Sequence, residues 1–564
     1  MKIKINDREV VANEGETILD VATREKIYIP TLCYLKKVGA TTNCRICLVE
    51  VKGARGLVTA CNYKVFEGME IITESSAISE ARKTNLELIL SNHNYNCASC
   101  VREGKCELKG LADSYGASAN RFCGEKHPEM IDETSYSIVR DNSKCILCKK
   151  CVQVCSLIQG VDAIKETKRG FRTEIACAFN KSLGESTCVG CGQCVQVCPT
   201  GALSVKSEIE RVEEFLDNED LIKIVAPAPA VRTVLGEFGE LPVGVFGEAL
   251  LPSVLRAIGF QKVFDVNFAA DLTIMEEAEE FLERVNSSKR LPMFTSCCPG
   301  WVDYAKKFHP EIVPHISTCK SPMMMLGAVV KTYYAKMLGV SPSKIAFVAV
   351  MPCTAKKKEA NMLNQYKERD VDAVLTVAEL EKLIRKRNID LRNIEPSKFD
   401  SVLGESSGAG VIFGASGGVM EATLRTLNDK LSGENNEEIE FKDVRGLNAV
   451  KIAEVRLGET FARVAVVSGL REAGKLIEKI KSREIKVDFV EVMACPGGCV
   501  NGGGMPIKSS IVQNYTRVVE PRTDVVYRLD NKKAVRKSHQ NKEVETFRNW
   551  NKENKETSLH TSHN

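Results

Sequence analysis

The sequence predicts a multidomain α+β protein in which small cysteine-rich modules precede one large α/β domain. Three observations predict it. The chain has 564 residues, 44% apolar and 27% charged, the balance of a globular protein long enough for several domains. Its 23 cysteines gather at two- and three-residue intervals, chiefly ahead of Glu208. From Ile209 onward β-like runs alternate with amphipathic stretches, as in an α/β domain. With 78 basic against 74 acidic residues the formal charge is +4, which gives no pull toward nucleic acid or an anionic membrane. No apolar run approaches the ~18 residues that a membrane span needs. Met1-Lys2-Ile3-Lys4-Ile5 alternates like a strand and lacks the apolar core of an export signal, so a cytoplasmic location is expected. Disulfide scaffolds are short and secreted, and bridges between near neighbours are strained. Thiolate ligation of iron or zinc is therefore the default reading.

Residues 1–78 form the first module. Ile3 to Val11, Leu48 to Val51 and Gly56 to Thr59 are strand-like, punctuated by Gly15 and Gly53, and Cys33, Cys44, Cys47 and Cys61 lie among them. This resembles a plant-type [2Fe–2S] ferredoxin, a β-grasp fold, with a cysteine spacing closer to the modules fused onto complex I and hydrogenase subunits. A zinc ribbon is the alternative. Residues 79–136 open with a predicted helix from Ser79 to Leu90, followed by His93-x3-Cys97-x2-Cys100-x5-Cys106. One imidazole and three thiolates suit zinc or a [4Fe–4S] cluster equally.

Residues 137–208 settle the context. They contain Cys145-x2-Cys148-x2-Cys151-x3-Cys155 and Cys188-x2-Cys191-x2-Cys194-x3-Cys198-Pro199. Two such runs are the signature of a bacterial two-[4Fe–4S] ferredoxin, in which the fourth cysteine of each run serves the other cluster. One cluster is expected on Cys145, Cys148, Cys151 and Cys198, the other on Cys188, Cys191, Cys194 and Cys155. The first run continues with Ser156 where the second has proline, a change in the turn and not in the ligands. The expectation is a line of four clusters in series, carrying electrons between a surface partner and a buried redox site.

Residues 209–520 are the large domain. Leu221 to Val225, Ile345 to Val350, Val371 to Leu375 and Val464 to Val467 read as strands, and Ala378 to Arg387 and Arg471 to Lys481 as helices. Gly469-x4-Gly474-Lys475 imitates a phosphate-binding loop, but Leu476 replaces the hydroxyl residue that holds magnesium, and a plain amphipathic helix is the better reading. Residues 521–550 are a C-terminal segment resembling a small subunit, and 551–564, polar throughout, are expected to be disordered.

Three motifs in the large domain carry the remaining chemistry: Thr295-Ser-Cys-Cys-Pro-Gly-Trp301, Met351-Pro-Cys-Thr-Ala-Lys-Lys-Lys-Glu359 and Glu491-Val-Met-Ala-Cys-Pro-Gly-Gly-Cys-Val-Asn-Gly-Gly-Gly-Met-Pro506. Together with the cluster modules they closely resemble the [FeFe]-hydrogenases, over nearly the whole chain. That resemblance implies an H-cluster, a [4Fe–4S] unit joined to a two-iron subcluster with carbon monoxide, cyanide and an azadithiolate bridge. Its ligands would be Cys298, Cys353, Cys495 and Cys499, with Cys499 bridging the two parts. Lys356 would donate to one cyanide, and the backbone of Ala228, Pro229 and Ala230 would approach the other. Met351, Met493, Gly414 and Gly498 would complete the cofactor pocket, and Lys357 and Lys358 are expected at the surface.

The family often has serine at the position of Ala230, and glutamine at Met505 and within the Ser321 to Met325 run that holds Met323 and Met324. The family's proton route maps onto Cys297, Glu277, Ser317, Glu280 and Arg284. Glu277, Glu280 and Arg284 share one face of a predicted helix, which spacing alone reads as a solvated acidic face and the resemblance as part of the proton route. Cys319, Cys123 and Cys177 match no ligand position and are expected to be ordinary thiols.

The resemblance implies reversible reduction of protons to H2, with ferredoxin as electron partner and maturases supplying the two-iron unit. The alternatives are the catalytic subunit of an NAD(P)-linked or bifurcating complex, with a flavoprotein subunit, and a hydrogen sensor or non-catalytic iron–sulfur scaffold.

Overall fold

The computed structural model describes residues 1–126, 130–239, 241–244, 248–515 and 517–561. At the N-terminus, Lys2–Ile5 buries every second side chain, as its Lys-Ile-Lys-Ile alternation dictates. It pairs antiparallel with Arg8–Val11 and parallel with Glu70–Ile72. Leu48–Val51 and Val58–Thr59 extend the sheet to five strands, and the helix Ile18–Arg24, started by a Thr17–Asp20 capping box, closes one face. The result is a small mixed sheet with one helix packed on it. The next module is helical, with Ser76–Ser91 against Glu107–Tyr115. In the third, Ile131–Asp132, Ile138–Asp141 and Leu203–Val205 form a small sheet around short helices that carry the two cysteine runs.

The large domain is built on two four-stranded sheets. One is parallel throughout, in the order Lys262–Val263, Ile222–Pro227, Ile345–Met351, Ala373–Thr376. Ile345–Met351 is apolar at every position and buried at every position, because a parallel strand covered on both faces has no solvent side. The other sheet runs Met293–Phe294, Phe489–Met493, Thr460–Ser468, Val450–Leu457, antiparallel only at its last pair. The helix Val266–Ser287 crosses the core, with Phe268, Ala269 and Leu272 in one hydrophobic cluster and Ala270 and Ile274 in another. The imitation phosphate loop is the start of the helix Leu470–Lys481, and Lys475 points outward to pair with Glu472 at 2.7 Å.

Two helices, Val519–Lys532 and Lys542–Asn554, wrap the large domain. Val525, Val526 and Leu529 join the core beside Ala230, and Phe547 packs edge-on against Phe268. The expectation of disorder after 551 is corrected as far as Thr561. Lys320 N donates to the Leu559 carbonyl and Thr561 N to that of Thr318, both at 2.8 Å, and Leu559 is buried. A polar composition concealed one apolar anchor and a backbone edge awaiting partners. Residues 562–564 lie outside the described residues. No described helix is long and apolar enough to cross a membrane.

Candidate active site and electron path

The four motif cysteines of the large domain come together because parallel strands deliver them. Met293–Phe294 leads to Cys297 and Cys298, Ile345–Met351 to Cys353, and Phe489–Met493 to Cys495 and Cys499. Ile222–Pro227 leads to Ala228–Pro229–Ala230. All are carboxyl ends of strands, where open α/β sheets place their sites. Burial pushes the Cys353 thiol up to about 12 and raises Cys298, Cys495 and Cys499, with the charges of the neighbouring motif cysteines adding to the rise at Cys353, Cys495 and Cys499. Buried thiols that repel one another as thiolates call for a cation among them.

The glycines of the third motif permit the close packing. A Cβ on Gly498 would lie 2.5 Å from Ser416 N, and one on Gly502 2.1 Å from the Pro352 carbonyl. Gly498 also has φ +96°, where a side chain is strained. Met351, Met323, Met324, Met325 and Met505 share one core cluster, while Met493 joins Ala230, Cys297 and Cys499 in another. Gly414 sits beside Ala230, its absent Cβ 3.5 Å from Ala230 N.

Lys356 is buried, donates to the Cys297 carbonyl at 3.1 Å and pairs with Glu359 at 2.7 Å. Burial works against its charge, but Glu359 and Cys353 outweigh that and raise its pKa. Glu359 ends the second motif, three residues from Lys356, and that spacing is the signal by which sequence could have found the pair. Lys358 is exposed and pairs with Asp303. Lys357, expected at the surface, is buried, donating to the Val374 carbonyl at 2.7 Å and pairing with Glu379 at 3.0 Å. The short helix Ala355–Glu359 turns two of its three successive lysines inward and leaves only Lys358 outside.

Beside the pocket stand the polar side chains Cys297, Glu277, Ser317, Glu280 and Arg284. Glu277 is fully buried, and its pKa rises to about 8 through burial and the Glu280 charge, with Ser317 and the Ser296 amide near enough to oppose. Its charge in turn helps raise the Cys297 thiol, after burial itself. Ser317 Oγ donates to Glu280 at 2.8 Å, and Arg284 pairs with Glu280 at 2.5 Å. Arg284 also donates to the carbonyls of Arg290, His315 and Ile316. Cys319, expected to be an ordinary thiol, is buried with its sulfur 3.8 Å from Glu280.

The accessory cysteines also assemble. Cys33 faces Cys44 and Cys47 faces Cys61 as two hydrogen-bonded pairs, the arrangement two iron atoms would share. Cys145, Cys148, Cys151 and Cys198 line one small cavity. Cys155 lies near enough to Cys188, Cys191 and Cys194 for its charge to raise each of them. Cys97, Cys100 and Cys106 feel one another's charge, and His93 is buried with Nδ1 lacking a partner. Tetrahedral zinc holds sulfurs about 3.8 Å apart, yet among the described residues no cysteine block brings three ligand atoms within 4.8 Å of one another.

The modules do not stand in a single line. Thr41 Oγ, next to the first cage, donates to the Cys148 carbonyl at 3.0 Å. Separately, Cys100 and Cys106 pack on Pro199 and Gly201, beside Cys198. Two branches thus converge on the Cys145–Cys198 cage, because short loops from two modules pack against it. The other cage meets the pocket directly: a Cβ on Gly503 would lie 2.2 Å from the Cys191 carbonyl, and Thr354 Oγ donates to the Gly190 carbonyl at 2.6 Å.

Cysteine-rich modules converging on a four-cysteine pocket, with buried acids beside it, are the architecture of an iron–sulfur oxidoreductase. Comparison with known proteins gives the family. Residues 222–503 match the model described as iron only hydrogenase large subunit, C-terminal domain. Residues 1–76 match a 2Fe-2S cluster binding domain, 82–121 the iron–sulfur binding region of NADH-ubiquinone oxidoreductase G, and 144–202 a 4Fe-4S dicluster domain. The chain is 42% identical over 554 residues to the NADP-reducing hydrogenase subunit HndD of Solidesulfovibrio fructosivorans, covering 96% of this chain and 94% of that one. It is 42% identical over 543 residues to iron hydrogenase 1 of Clostridium pasteurianum, with the same coverage. A solved apo [FeFe]-hydrogenase of Chlamydomonas reinhardtii aligns at 35% identity and TM-score 0.54, covering 61% of this chain and 94% of its own. The chain belongs to the iron-only hydrogenases and is an H2-metabolising oxidoreductase.

Proposed function

We propose that this chain catalyses 2H⁺ + 2e⁻ ⇌ H2 in the large-domain pocket, with Cys298, Cys353, Cys495 and Cys499 holding the cofactor and Cys499 bridging its two parts. When bound, the H-cluster, with its carbon monoxide, cyanide and azadithiolate ligands, supplies the iron site at which protons and electrons combine. Lys356, kept cationic by Glu359, balances the charge of one cyanide. The backbone at Ala228, Pro229 and Ala230, with Gly414 and Gly498, leaves room for close approach. Met351 and Met493 keep water out. Protons pass between the pocket and the outside through Cys297, Glu277, Ser317 and Glu280. Arg284 holds Glu280 in place, since a guanidinium does not give up its proton.

Four accessory clusters supply electrons: one [2Fe–2S] on Cys33, Cys44, Cys47 and Cys61, and one [4Fe–4S] on His93, Cys97, Cys100 and Cys106. The other two are [4Fe–4S] clusters on the crossed cysteine sets. Low-potential reduced ferredoxin, at roughly −400 mV, is the fitting donor, and maturases supply the two-iron unit. A cytoplasmic setting, where thiols stay reduced, suits 23 free cysteines. The 42% identity to an NADP-reducing hydrogenase subunit favours a second reading, a catalytic subunit whose flavoprotein partner handles the nucleotide. Isolation with or without such a partner separates the two. The sensor or scaffold reading has less support, since every motif cysteine and the acidic line are present.

The observation that carries the proposal is the convergence of the four buried thiols at one end of the Cys297–Glu280 line. Infrared spectroscopy of the matured protein tests it. Bands of metal-bound carbon monoxide and cyanide are expected, and their absence after maturation would overturn it.

A further inference from the structure

The outer end of the polar line poses a chemical problem. Glu280 is only 13% exposed at its side chain, and Arg284 is 8% exposed and committed to Glu280 and three carbonyls. An arginine cannot release a proton near neutrality. Some other group must exchange protons with bulk water.

The C-terminal tail brings one. Thr561 and Leu559 pair with Thr318 and Lys320 through their backbones, Thr557 Oγ meets Thr332 Oγ at 2.5 Å, and Leu559 is buried. This docking sets His560 beside the line. One ring nitrogen lies within 4.8 Å of both a Glu280 oxygen and the Cys319 sulfur. Nδ1 is 3.0 Å from Thr318 Oγ, and Nε2 is 3.4 Å from Glu276. The imidazole side chain is 48% exposed, so it meets water while lying within 4.8 Å of the buried acid.

We propose that His560 is the group through which Glu280 exchanges protons with solvent. For H2 production, a hydronium or buffer acid protonates the imidazole, which gives a proton to one bridging water as that water gives one to the Glu280 carboxylate, and the imidazole returns to neutral. For H2 oxidation the protonated Glu280 gives its proton through the same bridging water to the neutral imidazole, which releases it to solvent. Histidine alone among side chains has an unperturbed pKa near 6.5, so it can run both directions at physiological pH.

The surroundings tune it. Glu276, Glu280 and Glu283 on the helix Val266–Ser287 face the ring and favour its cation, Glu276 most strongly. Arg548, from the helix Lys542–Asn554, pairs with Glu276 and Glu279 and tempers that field. On the third side stand Cys319 and Lys320, the latter neutralised by Asp370 at 2.8 Å. Burial works against the imidazolium, but the Glu276 contact prevails and raises its pKa.

His560 acts through Glu280 and is a positioning and exchange residue, so this inference rests on the proton line proposed above. The test compares matured holoenzymes carrying His560→Asn, His560→Lys and Glu280→Gln, each checked for parental iron content and infrared bands. His560→Asn keeps a side chain that can bond Thr318 and should lose about tenfold in turnover, a modest part of what general acid–base groups contribute. Its rate should lose the parental pH dependence near neutrality and recover on adding free imidazole. His560→Lys, which holds its proton too tightly, should not recover without imidazole. An independent readout is the rate of diethyl pyrocarbonate modification of His560 against pH, followed by mass spectrometry. Its midpoint should fall when Glu276 is replaced by glutamine. If Glu280→Gln abolishes turnover while His560→Asn matches the parent across pH, this inference fails and the proton line stands. If Glu280→Gln also turns over normally, the line itself fails.

Discussion

Glu277 offers the sharpest test of the proton line, because one substitution should change stability and turnover in opposite directions. Its carboxyl is fully buried and titrates near 8 in place of 4.5. The folded state therefore binds this proton more tightly than the unfolded chain does, and stability is lost as pH rises from about 4.5 to about 8. The full rise corresponds to about 5 kcal/mol. Glu277→Gln keeps the shape of the neutral acid and cannot ionise, so it removes this loss. Calorimetry of parent and variant between pH 5 and 9 should show the variant gaining in relative melting temperature as pH rises. At pH 7 the parental acid is about nine-tenths protonated yet close enough to its midpoint to exchange. Glutamine cannot exchange, and turnover should fall by a factor of about 10² or more. Turnover at the parental rate, with iron content and infrared bands intact, would refute the assignment of Glu277. Parallel melting curves at all pH values would refute the burial argument instead.

Cys297→Ala should assemble the full cofactor yet lose most turnover, while Cys297→Asp, which restores an exchangeable proton beside Glu277, should regain part of it; hydrogen evolution with reduced dye measures both. Cys499→Ala should fail to retain the two-iron unit, with no carbon monoxide or cyanide bands, while iron and sulfide in residues 1–208 stay near parental values. Glu359→Gln should leave Lys356 without its counter-charge and shift the cyanide bands in the infrared, with cluster content unchanged; identical bands would show that Lys356 does not face the cyanide. Cys47→Ala should abolish the [2Fe–2S] signal in electron paramagnetic resonance and lower ferredoxin-linked activity more than dye-linked activity. Because two branches meet at the Cys145–Cys198 cage, some ferredoxin-linked turnover should persist, and equal loss of both activities with the other clusters present would count against a relay role.

What the sequence could show depended on how local the signal was. Cysteine spacing is set by a loop's own geometry, so the two runs at Cys145 and Cys188 were legible as a two-cluster ferredoxin signature, and the crossed placement of Cys155 and Cys198 came with that signature. The uniformly apolar Ile345 to Val350 run likewise announced a buried parallel strand. The convergence of two modules on one cage was not legible, because it depends on Thr41 reaching the Cys148 carbonyl across 107 positions of sequence. Lys357 departs from its expected surface position for a related reason: a single buried lysine is decided by partners such as Glu379, 22 positions away. The tail differs in another way. Its polar residues outnumber its one anchor, Leu559, and the edge that receives it at Thr318 to Lys320 is far off in sequence, as the 242-position separation of Thr318 from His560 shows.

In the mechanism we propose, electrons and protons reach one pocket by separate routes. Electrons arrive on the side where Gly503 lies against Cys191, a contact so close that a single Cβ would not fit. That side is tied by neutral groups, the Thr354 hydroxyl on the Gly190 carbonyl and the Gln193 and Gln196 amides on the carbonyls of Asn501 and Gly503. Protons arrive at Cys297, on the loop after a different strand, from a helix whose Glu277 is held largely neutral by burial. The two deliveries meet at Lys356, which donates to the Cys297 carbonyl and holds its charge the more firmly for Cys353 nearby. A fixed cation there favours added electron density in the pocket, and at Cys297 it opposes the rise that burial and the Glu277 charge give the thiol, which eases release of that thiol's proton.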